Sequence, residues 1–162
     1  MKNEHGFSLV ELLIVVAIIA IIAAIAVPSL LTSRMAANEA SAIQGCRTIG
    51  SAQIAFAATN NQQFTTLTDL WTGQFLDGRF SDAGNVINGY TYDAGTVAVE
   101  GGTDFTSDLP TAFAFQASPG AGMGRFTYGV GPDQVVRYVG FQAPATGYPT
   151  GSDAGTPIGK NN

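Results

Sequence analysis

Charge is missing from one long stretch of this 162-residue chain, since no ionisable side chain occurs from Leu12 to Leu31. Cysteine and histidine are nearly missing too, with Cys46 and His5 the single copies. One thiol closes no intrachain disulfide, so hydrophobic packing has to hold any folded domain together. Cys46 reads as a small buried apolar residue on a helix. Its neighbour Arg47 does not activate it, because adjacent helical residues do not face each other. His5 lies in the short polar start, and removal of that start leaves no imidazole. Ser–His and Cys–His nucleophile pairs and histidine metal sites are then excluded. No glycine-rich phosphate loop followed by Lys-Ser or Lys-Thr occurs. The expectation is a protein that is not an enzyme and holds no cofactor. Basic residues are also scarce, 7 Lys and Arg against 12 Asp and Glu, for a net charge of −5. From Asn60 onward there are four basic and nine acidic residues. Such a surface repels phosphate backbones, so no direct nucleic-acid binding is expected.

What is present is concentrated at the N-terminus. Phe7 to Val27 supplies 21 residues in which only Ser8 and Glu11 are polar. About 20 apolar helical residues span a hydrocarbon core, so this stretch is long enough. Three readings follow. A secretory signal peptide has in its favour Lys2, the apolar core and Ala24-Ile25-Ala26 as a small-residue cut site. Against it stand the length of the run and Glu11 inside its start. An ordinary single-pass anchor meets the same acid. A carboxylate at the bilayer centre costs roughly 2.5–3.5 kcal/mol on insertion scales and is normally kept for a partner or a function. In the third reading Glu11 has that partner. A cut after Gly6, implied by the family resemblance below, would make a new amine at Phe7 that can meet the Glu11 carboxylate of a neighbouring copy. An opposite charge in a low-dielectric core favours both ionised forms and offsets part of their desolvation.

The third reading has a precedent. Gly6-Phe7-Ser8-Leu9-Val10-Glu11-Leu12, followed by the long apolar run and Pro28, resembles the type IV pilin and type II secretion pseudopilin superfamily over about the first 50 residues. The resemblance implies a leader, residues 1–6, removed by a prepilin peptidase on the cytoplasmic side. It implies N-methylation of Phe7 and a role for Glu11 in assembly. It also implies an inner-membrane platform protein and an assembly ATPase as partners. The subunit pool would sit in the inner membrane, in contact with lipid, and the product would be an extracellular homo-oligomeric filament, a cell-surface fimbria. The reading adopted is a structural, major pilin-like subunit. A type II secretion pseudopilin, a minor pilin, and an exported binding module cut after Ala26 are the alternatives.

The expected fold class is α+β, a long N-terminal α-helix bent near Pro28 and packed on a C-terminal antiparallel sheet of about four strands. Residues 7–28 form the transmembrane or filament-core helix and 29–59 its amphipathic continuation. At 1.5 Å per residue the whole helix would be roughly 80 Å long. Ile43, Cys46, Gly50, Ile54 and Ala57 recur at steps of three and four and mark the face toward the head. Pro28 removes the hydrogen bond to the Ala24 carbonyl. It reads either as a static kink or as a break from which Ala23 to Leu31 loosens when the subunit enters a fibre. Gly45 and Gly50 add soft points, each costing roughly 1 kcal/mol relative to Ala.

Residues 60–139 read as the head. Thr65 to Trp71 looks like a short helix capped by Thr66 or Thr68, with Phe75, Leu76 and Phe80 as core candidates. Strands are expected over Gly89–Tyr92, Ala112–Ala117, Arg125–Val130 and Gln134–Val139. Val97 to Val99 reads as a hairpin partner or extension of the first, and Gly131-Pro132-Asp133 as a turn. The order Gly-Tyr-x-Tyr, Phe-x-Ala-x-Pro, Arg-Phe, Val-x-Arg resembles major pilins of the short bacterial type and the main pseudopilin. The latter carry a calcium site, for which Asp77 with Asp82, or Asp104 with Asp108, are the acids available. Their spacing matches no dedicated calcium loop, so they read as solvated carboxylates and no metal site is expected. Trp71, Tyr138 and Tyr148 are candidates for exposed aromatics. Residues 140–162, rich in Gly, Pro and Thr, read as a loop or tail.

Overall fold

A computed structural model describes residues 7–81, 84–97, 105–140 and 156–158. The chain falls into two compact units, Met1–Arg34 and Met35–Asn162. Helix α1, Leu9–Thr59, contributes to both.

Within the first unit, α1 opens at Leu9, where the Ser8 carbonyl accepts the first helical hydrogen bond from the Leu12 amide, 3.2 Å. The helix runs on through Pro28. Proline cannot donate to the Ala24 carbonyl, yet the ladder resumes. Just beyond it, the hydroxyls of Thr32 and Ser33 donate back to the carbonyls of Pro28 and Ser29, at 3.1 and 2.9 Å. Alanine and straight or branched aliphatic residues on both sides supply the propensity that keeps this stretch helical.

The second unit places α1 from Met35 onward against a six-stranded antiparallel sheet. Its strands are β1 (Val86–Ile87), β2 (Tyr90–Ala94), β5 (Phe115–Pro119), β6 (Phe126–Val130), β7 (Arg137–Gly140) and β8 (Thr156–Pro157), in the order β1-β2-β5-β6-β7-β8. The four longer strands are those expected from period-two patterning, and the two-residue strands β1 and β8 flank them. Asn88 and Gly89, both with positive φ, make the two-residue turn between β1 and β2. That conformation matches the twist of a hairpin and is favoured by Asn-Gly.

Four boundaries differ from expectation, each for a local reason. The second expected strand starts at Phe115 and not at Ala112, because Thr111 and Ala112 donate to the Asp108 carbonyl in a turn. The last starts at Arg137 and not at Gln134. Gln134 has a positive φ, and the Val135 amide donates to the Asp133 carboxylate. Thr96–Val97 (β3) does not pair with β2. It pairs with Phe105–Thr106 (β4) in a separate two-stranded sheet, after Gly95 donates to the Ala114 carbonyl. Ala98 and Val99 lie outside the described residues. So does most of the expected tail, but Thr156 and Pro157 are an edge strand on β7 and not a loose end.

Side chains of one sheet face meet the helix. Across the middle, Tyr92, Ala117, Tyr128 and Tyr138 are register partners on successive strands. The small Ala117 between two tyrosines leaves room for α1. Ala42, Cys46, Ile49 and Ala52 enter the core with Tyr90, Tyr92, Phe113, Phe115 and Val130. Of the expected face, Cys46, Gly50 and Ala57 are buried and Ile43 packs against the core, while Ile54 departs from it at 44 % exposed. Gln53 takes the inward position because its amide oxygen accepts the Thr65 amide at 3.1 Å and its NH2 donates to the Thr65 carbonyl. A buried polar side chain is tolerated when it is bonded in this way. α2 (Leu67–Thr72) is capped by Thr66, whose hydroxyl accepts the Asp69 amide.

Gly45 and Gly50 are points of close approach and not soft points. A β-carbon on Gly45 would run into the Tyr92 ring and hydroxyl, and one on Gly50 into the Gln134 side chain. The Tyr92 hydroxyl is buried without a hydrogen-bond partner. Gly45→Ala is expected to lower stability by about 1–3 kcal/mol through overpacking. Tyr92→Phe should be neutral or stabilising, and should recover part of the Gly45→Ala loss. Thermal melts of the full chain and the double variant, followed by circular dichroism, check both.

Candidate functional site

The candidate site in the first unit is α1 itself. Phe7, the first described residue, is 79 % exposed, and every large apolar side chain from Leu9 to Leu31 is exposed as well. An 18-residue window of the helix has a mean hydropathy of 3.2, with none of it buried. Water does not tolerate such a surface, because a contiguous apolar patch of this size marks a partner or membrane contact. Helical geometry satisfies the backbone inside lipid, which leaves only side chains to be accommodated.

Glu11 lies in the first helical turn, where a carboxylate is favoured by the helix dipole. It is the only ionisable residue from Phe7 to Ser33. Phe7 and Ser8 precede the helix, so Glu11 is one turn from the expected new terminus. Gly6, the other half of the expected junction, and the leader lie outside the described residues.

The second unit contains a charged pair that sequence reading passed over. Glu39 on α1 is only 6 % exposed. One of its carboxylate oxygens accepts from the Arg125 amide at 2.8 Å and from Arg125 Nε at 3.0 Å. The other accepts from Nη2 at 3.0 Å. Three charge-assisted bonds tie the helix to the residue that leads into β6. The Arg125 guanidinium holds the Glu39 carboxyl below the ordinary glutamate value, and burial opposes this only in part. The available signal was an acid three residues before the inward Ala42, on the same helical stripe.

The remaining candidates have local roles. Asp77 caps the 3-10 turn Gly78–Phe80 and accepts from Arg79. Asp108 accepts from Thr106 at 2.6 Å. Their suggested partners Asp82 and Asp104 lie outside the described residues. No group of three His, Cys, Asp or Glu able to hold a metal occurs among the described residues. Cys46 is fully buried, and burial pushes its thiol up to about 12. It is therefore protonated and unreactive at neutral pH. Trp71 is 46 % exposed, while Tyr138 packs edge-on to Phe126 at 5.1 Å. Tyr148 lies outside the described residues.

Residues 1–27 match the family model for the prokaryotic N-terminal methylation motif. This N-terminus therefore resembles those of proteins that carry the motif. Over 39 residues it is 59 % identical to the type IV wide pilus major component PilA4 of Thermus thermophilus. That match spans 24 % of this chain and 30 % of the relative's length. The likeness to this pilin thus covers the helix that the structure leaves exposed.

Glu39 with its lowered pKa contributes stability that is complete above the unfolded value of 4.5 and is lost as pH falls through the lower native value. The melting temperature of the second unit should therefore drop on acidification below about pH 4.5. Glu39→Gln should lower stability at pH 7 by about 1–3 kcal/mol and flatten the acid-side slope. Differential scanning calorimetry from pH 3 to 7 tests this, and parallel curves for the two proteins would contradict it.

Proposed function

We propose that this protein is a major structural subunit of a type IV pilus. It is made as an inner-membrane precursor, cut between Gly6 and Phe7, N-methylated on Phe7 and polymerised through α1. The observation behind this reading is the long uncharged helix, exposed on all sides, with a single carboxylate one turn from the Phe7 of a methylation motif. The helix has two ways to hide its surface, first lipid and then copies of itself. Exchange of lipid for neighbouring helices leaves its hydrophobic driving force nearly unchanged, so packing and sparse polar contacts decide the assembled state.

Glu11 supplies the polar contact. In the fibre its carboxylate meets the Phe7 amine of an adjacent copy, and each charge offsets the desolvation of the other. A copy in the wrong axial position leaves both unpaired, so the pair selects register as well as affinity. The relative's description as a major component of a wide pilus supports the same assignment. A prepilin peptidase, a platform protein and an assembly ATPase are the partners such a subunit needs.

Mass spectrometry of the mature protein should find N-methyl-Phe7 as the first residue. A chain that starts at Val27 would overturn the proposal. Glu11→Ala should leave membrane insertion intact and reduce fibre yield about tenfold or more, since it strands a buried amine. Sheared-fibre yield against the membrane-bound subunit pool measures this, and normal fibres from the variant would remove the role assigned to Glu11. Long extracellular fibres, as opposed to short periplasmic ones, distinguish a pilus from a secretion pseudopilus.

A further inference from the structure

The second unit carries a groove that its own residues leave open. It runs along the outer flank of α1 beside Phe75, has a volume of about 400 Å³, and is lined by Gln44, Arg47, Thr48, Ser51 and Ala55. Its floor is made of small residues, and its one charge is Arg47. The described ion pairs are Arg79 with Asp77, Arg125 with Glu39, and Arg137 with Asp133. Arg47 is exposed and has no carboxylate partner among the described residues.

An exposed carboxylate of opposite charge is present on the same unit. Asp108 projects from the turn after β4, with Pro110 and Thr111 exposed beside it. The turn is braced. The Asp108 carbonyl accepts from the amides of Thr111 and Ala112, and the Pro110 carbonyl accepts from the Phe64 amide. It thus presents a negative charge next to an apolar proline on a fixed backbone. The other exposed acids suit the groove less. Asp69 accepts from two hydroxyls, those of Thr65 and Thr66, where Asp108 accepts from one, that of Thr106, and Asp69 belongs to the helix next to Phe75. Asp77 is paired with Arg79.

We propose that the groove holds the Asp108–Thr111 turn of a second copy of this chain, with Asp108 paired to Arg47 and Pro110 against Phe75. This deepens the filament reading above and rests on it. In a helical fibre the knob of one copy enters the groove of the next, so the contact is heterologous there and propagates because the rotation between neighbours does not close. Charge complementarity also orients the encounter, which the featureless apolar helix does not.

The test uses full-length subunits assembled in cells, with wild-type fibres as the reference. Arg47→Glu and Asp108→Arg should each lower sheared-fibre yield about tenfold, and the double charge swap should restore most of it. Both side chains are exposed, so melting temperatures of the purified subunits should stay within about 2 °C of wild type. Ser51→Cys combined with Pro110→Cys should give oxidant-dependent ladders in fibres and none in detergent-dispersed subunits. Unchanged fibre yield in Arg47→Glu, failure of the swap to restore it, or absence of ladders would overturn the contact. Lack of wild-type fibres would instead overturn the filament reading itself.

Discussion

The dominant constraint on this molecule is the apolar surface of α1 in the first unit, where every large apolar side chain from Leu9 to Leu31 is exposed. Folding of the second unit buries aromatic and aliphatic side chains within that unit, as in any α+β domain. The first unit has no comparable core, because its large side chains all face outward. Its helix is stable by propensity and by internal hydrogen bonds, but its environment has to come from elsewhere. Lipid and neighbouring helices offer similar hydrophobic stabilisation, and a change between them costs little in transfer energy. Such a segment can be stored in one environment and used in another without refolding.

Two glutamates on the same helix show how context decides what a carboxylate does. Glu39 is buried, but Arg125 comes to it from the same chain and completes three bonds, so the second unit alone satisfies it. Glu11 has no basic residue within the described part of the first unit until Arg34. Its partner in the proposed fibre is therefore another molecule. The difference between an intramolecular clasp and an assembly contact reduces to whether the countercharge lies in the same unit.

Much of this was legible in the sequence, because the strongest signals are one-dimensional. A run of 20 uncharged residues, Pro28 within it and a helix-period face beyond it are sufficient to place α1. Alternation of aromatic and small residues located the four longer strands. What was not legible depended on partners far away in the chain. Ile54 looked like part of the inward face, but Gln53, bonded to Thr65, takes the inward position and Ile54 is exposed. Gly45 looked like a weak point until Tyr92 was seen against it. Edge strands of two residues have too little pattern to be read, and Gly89, read as the start of a strand, lies with Asn88 in the turn between β1 and β2. At the site, the methylation motif around Phe7 and Glu11 was readable. Glu39 was not, because its meaning lies in Arg125, 86 residues away.

A further consequence concerns register. Uniform hydrophobic rods attract one another strongly but discriminate poorly, since a slide of one helical turn exchanges one aliphatic contact for another. Specificity is a difference between free energies and needs features that are penalised when misplaced. Among the described residues such features include the carboxylate at the start of the helix and, on the second unit, Arg47, which has no carboxylate partner among those residues, and the Asp108 turn. In the proposed fibre each of them would count. A second carboxylate on the apolar run would offer an alternative register at comparable energy and would weaken the preference that the first imposes. The absence of charge from Leu12 to Leu31 therefore leaves Glu11 as the one charged mark on the apolar run, and in the proposed fibre it is the feature by which neighbouring helices would align.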